Sequence, residues 1–91
     1  MEAKESDPNV IADVNKMVGV EYHVAGDLQE LHGIKSVVQS KQDYCLVITA
    51  YDDYPLLSNL QTVCAWHQAG FDVESAGRVD GDIVVRARLL D

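Results

Sequence analysis

Asp43-Tyr44-Cys45-Leu46-Val47-Ile48-Thr49-Ala50-Tyr51-Asp52-Asp53-Tyr54-Pro55-Leu56-Leu57-Ser58-Asn59-Leu60-Gln61-Thr62-Val63-Cys64-Ala65-Trp66-His67-Gln68-Ala69-Gly70 is the stretch on which the fold turns. Tyr44 to Ala50 is an apolar run with the length and β-branched content of a buried strand. An acidic turn, Tyr51-Asp52-Asp53-Tyr54, follows, and Pro55 opens a segment with helical spacing. In the strand, Leu46, Ile48 and Ala50 share one face while Cys45, Val47 and Thr49 share the other. Both faces are apolar, so the strand belongs inside a sheet with each side at least partly covered. Helices starting at Asp27 and at Pro55 account for one side. A helix starting at Pro8, or a second subunit, must account for the other.

Two N-terminal registers are open for the helix after Pro55. Either Asp53 caps it and Pro55 lies in its first turn, or Ser58 caps it and pairs with Gln61 in a capping box. In both, Leu60, Val63, Cys64 and His67 line one face with Leu56 and Leu57 above them, and Ala69-Gly70 ends the helix. Downstream, Phe71, Val73 and Ser75 alternate with acidic residues as a strand. Asp80-Gly81 is a short hairpin signal leading into Ile83 to Leu90. There Ile83, Val85, Ala87 and Leu89 face one way, and Val84, Arg86, Arg88 and Leu90 the other, with the arginines exposed and paired to acidic neighbours.

Upstream, residues 1–7 read as a flexible polar leader and 8–91 as a single α/β domain. Asp7-Pro8 reads as a helix start, and Val10, Ile11, Val14 and Met17 give a short amphipathic helix from Pro8 to about Asn15. From Met17 to Val24 the period is two, with Val18, Val20, Tyr22 and Val24 on one face, which predicts a half-buried strand. Asp27 with Glu30 reads as a capping box, opening a helix with Leu28, Leu31, Ile34, Val37 and Val38 on its apolar face and Gly33 inside it. The expected fold is an α/β two-layer sandwich. Its mixed four-stranded sheet follows a β-α-β-α-β-β order after the N-terminal helix, with the first two strands parallel through a right-handed crossover.

Fifteen acidic residues against seven basic ones give a net charge of −8. With no basic patch, this charge disfavours nucleic acid and points to a protein partner with a basic surface, or to acidity that serves solubility or a saline interior. No apolar run approaches the ~20 residues of a membrane span, and no apolar segment follows the N-terminus, so a cytoplasmic protein without membrane contact is expected. Cys45 and Cys64 lie in apolar periodic segments, as reduced core thiols do.

Candidate chemistry is sparse. Asp52 and Asp53 end the central strand, where open α/β folds place ligands, but turn carboxylates that cap a helix look the same. Tyr51 and Tyr54 flank them and suit a recognition surface. His23, His32 and His67 lie on three segments without ligand spacing; a zinc site from these and Cys64 is conceivable, but no metal or cofactor is expected. Trp66 points about 100° from His67 on a helix, so an inward His67 leaves Trp66 either under the hairpin or exposed, and an exposed tryptophan is an interface candidate. Cys64 and Cys45 are reactive thiols only if a positive neighbour or helix N-terminus lowers their pKa.

Ala50-Tyr51-Asp52-Asp53, Val63-Cys64, Gly70 and the terminal hairpin together resemble the C-terminal half of the TusA-like (SirA-like) sulfur-relay proteins. In that family an acidic turn precedes a helix carrying an aromatic-cysteine pair, then Gly-His and a two-stranded hairpin. Here Phe71 stands in place of the histidine. The resemblance implies a β-α-β-α-β-β fold. The family's working Cys-Pro-x-Pro is absent, its place being taken by Gly26-Asp27-Leu28-Gln29, which argues against sulfur transfer by the usual route.

The residues support a small acidic, non-catalytic adaptor or regulatory module that binds a protein and forms a homodimer. Its expected surface comprises Tyr51, Asp52, Asp53, Tyr54, Trp66 and whatever covers Cys45 and Val47. The rival is a thiol-dependent sulfur carrier using Cys64 or Cys45, and a third reading places a small ligand or metal at Asp52 and Asp53.

Overall fold

The computed structural model describes residues 11–12, 17 and 19–90. Strand β1 is Ile11–Ala12, helix α1 is Gly19–Gln29, β2 is Ile34–Ser40 and β3 is Leu46–Tyr51. Helix α2 follows at Leu56–Trp66, then β4 at Gly70–Val79 and β5 at Asp82–Leu90. The strands form one sheet in the order β1-β2-β3-β5-β4, and every neighbouring pair is antiparallel.

The central strand is where the sequence puts it. β3 pairs with β2 on one edge and β5 on the other. Leu46, Ile48 and Ala50 are fully buried, in register with Ala87, Val85 and Ile83 of β5. They form one cluster with Val24, Ala25 and Leu28 of α1 and with Leu56, Leu60, Val63 and Cys64 of α2. The terminal hairpin also forms as expected. Asp80 and Gly81 both adopt positive φ, 53° and 87°, the combination that lets a two-residue turn follow the twist of paired strands.

Three expectations are corrected. The sheet is antiparallel throughout, not mixed, because hairpin turns rather than crossovers connect β2 to β3 and β4 to β5. The segment read as a strand around Val20 to Val24 is helix α1. Its alternation was real, but Val20, Val24 and Leu28 also repeat every four residues, and the helical face buries Val24, Ala25 and Leu28 completely. Gly26 lies on a helix face with no neighbour near where a Cβ would sit. The segment read as the helix from Asp27 to Val38 contains the end of α1, a turn and strand β2. Ile34, Val37 and Val38 are β-branched, and such side chains fit a pleated surface better than a helix. The element order over the described residues is therefore β-α-β-β-α-β-β, not the order expected from the resemblance. The leader and most of the Pro8–Asn15 helix lie outside the described residues, but Ile11 and Ala12 within that span pair as a strand with Ser40 and Gln39.

Helix α2 starts later than one register and earlier than the other. Pro55 occupies the N-cap position without a side-chain hydrogen bond, so neither Asp53 nor Ser58 caps the helix. Its end is a Schellman turn: Ala69 N–H donates to the Cys64 carbonyl at 2.9 Å and Gln68 N–H to that of Ala65 at 3.1 Å. Gln68 takes the left-handed φ of 55° that glycine usually supplies. The chain is thus turned into β4 before Gly70 is reached.

Gly33 has a specific task. A Cβ there would lie 1.8 Å from Cδ1 of Tyr54, whose ring packs over the turn against the core. The Gly33 carbonyl also accepts a hydrogen bond from Tyr51 N–H at 3.2 Å. Gly33→Ala is expected to destabilise the fold by about 1–3 kcal/mol, the usual range for overpacking. In the Tyr54→Ala background the added cost should largely vanish. Urea unfolding of the four members of this double-mutant cycle checks the coupling.

Candidate functional site

The strand residues that point away from the helices form the second face of the sheet. Cross-strand pairing sets its rows: Val38 beside Val47 beside Arg86, then Ser36 beside Thr49 beside Val84. Val38, Val47, Thr49 and Val84 are half-buried, and no described element packs over them. The centre of the face is thus made of short β-branched side chains.

Ion pairs frame that centre at both ends. At one end, Arg86 Nη2 donates to Asp43 Oδ2 at 2.5 Å, and Arg88 donates to the Asp43 carbonyl at 2.9 Å and to Glu74 Oε2 at 3.2 Å. Asp43 also accepts from Cys45 N–H through Oδ1 at 3.2 Å. The Cys45 N–H bond, reinforced by Arg86 and Ser40, holds the Asp43 carboxyl down at about 2. At the other end the extra residue of a bulge in β2, Lys35, reaches over the Tyr51 ring (4.8 Å to its centroid) to Asp82 Oδ1 at 2.8 Å. The hydrogen bond to Asp82 raises the Lys35 pKa.

The structure separates the residues expected to form one surface. Tyr51 is 52% exposed and belongs to the open face, in register with Asp82. Asp52 and Asp53 are exposed on the turn beyond it. Tyr54 is half-buried and packs against the core. Trp66 is 63% exposed, but it ends α2 while the turn precedes that helix, so about 16 Å of helix lies between them. Tyr51 and Val47 share a face; Trp66 stands apart.

Both thiols are closed off. Cys64 is buried in the helix-side core and burial pushes its pKa up. Cys45 is buried beside the ion-pair cluster. Burial, then the Asp43 charge, raises its pKa, while Arg88 and Arg86 pull it part of the way back. Neither matches a nucleophile or persulfide carrier, which needs access and a stabilised thiolate. Among the described residues no buried side-chain nitrogen or oxygen lacks a partner.

Comparison with protein families, with curated proteins and with solved structures finds no match. The residues themselves carry the argument.

Sequence reasoning missed one grouping. His67 Nε2 lies 2.6 Å from Asp27 Oδ2, and the rings of His23 and His67 stack with centroids 5.7 Å apart. The His23 to Asp27 spacing of four residues was a readable signal once that segment is a helix. Read as a strand followed by a cap, the same residues fall on different elements. His32 is exposed on the turn between α1 and β2, and Cys64 faces the core, so the set once considered for zinc is not assembled.

Alkylation at neutral pH is expected to be slow at both cysteines in the folded protein and fast in denaturant, as read by intact mass. Rapid native labelling of Cys64 or Cys45 would contradict their burial. Asp43 supplies a pH test. Its carboxyl ionises more easily in the fold than its ordinary value of 3.8, so its stabilising effect is present above pH 3.8 and fades as pH falls through about 2. Asp43→Asn should therefore lower stability near neutrality and flatten the loss of stability between pH 4 and 2, followed by thermal melts across that window.

Proposed function

We propose that this chain is a small non-catalytic interaction module. In this reading it has two layers, helices over one sheet face, and pairs with a second copy of itself through the open opposite face. The acidic turn at Asp52 and Asp53 is left free for a protein partner with a basic surface. The observation that carries the reading is the composition of that face: an apolar centre of Val38, Val47, Thr49 and Val84 inside a rim of ion pairs. An apolar core and a polar rim are what a recognition surface needs.

Charge favours a second copy as the occupant. Lys35, Arg86 and Arg88, three of the seven basic residues of the chain, stand on this face. Each is paired with an acid there, and Asp43, Asp72, Glu74 and Asp82 complete the set. Three cations against four carboxylates leave the face close to neutral in a protein of net charge −8. Two copies meeting here bring their least repulsive surfaces together and keep the acidic remainder apart. A sulfur-carrier role is the weaker reading, because both candidate thiols are buried and their pKa values raised. No helix among the described residues is long and apolar enough to cross a membrane.

Sedimentation velocity from micromolar to sub-millimolar protein is the test. The wild type should reach a dimer, and Val47→Glu should remain a monomer with an unchanged far-UV spectrum. Trp66→Ala, away from the face, should leave the dimer intact. A wild type that stays monomeric at every concentration and salt level, or a dimer insensitive to Val47→Glu, would reject this surface.

A further inference from the structure

Tyr44 holds a backbone conformation that its side chain disfavours. Its φ is 61°, in the left-handed region that glycine adopts without cost and a bulky residue rarely enters. Hydrogen bonds pin it there. Tyr44 N–H donates to the Ser40 carbonyl at 2.9 Å, and Gln39 Nε2 donates to the Tyr44 carbonyl at 3.2 Å. Arg88 and the Cys45 N–H hold Asp43 beside it. The side chain nevertheless gains little from the fold. At 66% exposed it is the most exposed large apolar group among the described residues. The loop carries a tyrosine where glycine would serve the backbone better, and such a position is kept for what the side chain does.

Its place is one end of the open sheet face. Tyr44 precedes β3 and Tyr51 ends it, so seven residues of extended chain, about 23 Å, separate the two rings. An exposed aliphatic group stands at each end as well. Val79 is in register with Asp82 beside Tyr51, and Leu90 lies two residues past Arg88 on the same face of β5. Each end thus has one exposed tyrosine and one exposed aliphatic side chain, with the short Val47, Thr49 and Val84 between them.

We propose that Tyr44 is an anchor of the self-association surface and packs on Tyr51 of a second copy. This rests on the reading above, that another copy of the chain occupies the open face. A two-fold axis across the strands at the middle of β3, between Val47 and Ile48, sets the two β3 strands antiparallel. It lays Tyr44 of each copy over Tyr51 of the other, so the contact occurs twice, as an isologous interface requires. The same axis sets each Lys35–Asp82 pair opposite an Arg88–Glu74 pair, so that unlike charges alternate. Stacked with β3 in the same direction, the copies would instead place Tyr51 on the Asp82 row, ring against carboxylate. Both rings are also prepared for contact. Lys35 holds the Tyr51 ring and the loop bonds hold Tyr44, which lowers the cost of ordering them on association.

Sedimentation velocity of the full chain reads the dimer dissociation constant. Tyr44→Gly and Tyr51→Ala should each weaken the dimer by at least about tenfold, while Tyr44→Phe, which keeps the ring, should retain it. The double variant should be little weaker than the weaker single one. Within one chain the two sites are too far apart to couple, so non-additivity places them together across the interface. In the monomeric Val47→Glu background, Tyr44→Gly should keep or raise the melting temperature, because it relieves the left-handed backbone without opening the core. A dimer that Tyr44→Gly leaves unchanged, losses that multiply in the double variant, or a Tyr44→Gly monomer that melts below its parent would overturn the anchor. In each of these cases a dimer still lost in Val47→Glu would leave the self-association reading standing. A wild type that never dimerises removes both.

Discussion

Everything in this fold depends on giving β3 a hydrogen-bonded neighbour on each edge and an apolar cover on one face. A strand of Leu46-Val47-Ile48-Thr49-Ala50-Tyr51 cannot lie at a sheet edge without leaving a row of amides and carbonyls beside exposed apolar side chains. β2 and β5 close the two edges. Both helices then lay buried residues on Leu46, Ile48 and Ala50. The bulge at Lys35 and the Gly33–Tyr54 contact are the adjustments needed where β2 begins and the turn into α2 crosses it.

The sheet order has a regularity built around one crossover, in which α2 carries the chain from β3 past β5 to β4. α1-β2-β3 and α2-β4-β5 are two helix-hairpin units of the same kind. β3 and β5, the last strand of each unit, pair antiparallel at the centre, while β2 and β4 lie outside them. Each unit brings one hairpin and one helix, and neither can cover its own apolar strand alone. Joining them along β3 and β5 buries Ile48 against Val85 and Leu46 against Ala87 under both helices at once. The units are not equally protected. β2 carries β1 on its outer edge, whereas β4 is an edge strand, with Asp72, Glu74, Arg78 and a bulge between Val73 and Ser75 that discourage further pairing.

The half of the chain from Tyr44 onward was legible in its elements, though not in the cap of α2, which neither Asp53 nor Ser58 supplies. A β-branched run of strand length, a proline before a helical period and Asp80-Gly81 before an alternating strand all fell where the structure has them. Between residues 17 and 40 two periods coexist. Val24 belongs both to the alternating set and to the Val20–Val24–Leu28 helical face, and only burial by α2 and the sheet decides between them. Asp27 shows how such an error spreads. Taken as a cap it began a helix; in the structure it lies near the end of one and holds His67. The face of Cys45, Val47 and Thr49 was read as one that a helix from Pro8 or a second subunit must cover, and its composition was not foreseen. Lys35, Arg86 and Asp43 come from three segments, and only strand register makes them neighbours.

Register also decides what the acidity of the chain means. A net charge of −8 suggests a molecule that repels its own copies. The pairing of β3 with β5 places Arg86 and Arg88 beside Asp43 and Glu74, while the β2 bulge sends Lys35 to Asp82. These cations are satisfied within one molecule and need no partner charge. Whatever meets this face does so through Val38, Val47, Thr49 and Val84, with surrounding charges that already cancel. Added salt screens the repulsion between the acidic remainders of two copies without weakening the apolar contact between the faces. The acidity of the chain is therefore compatible with the self-association proposed above, because the near-neutral sheet face and the acidic remainder are different surfaces.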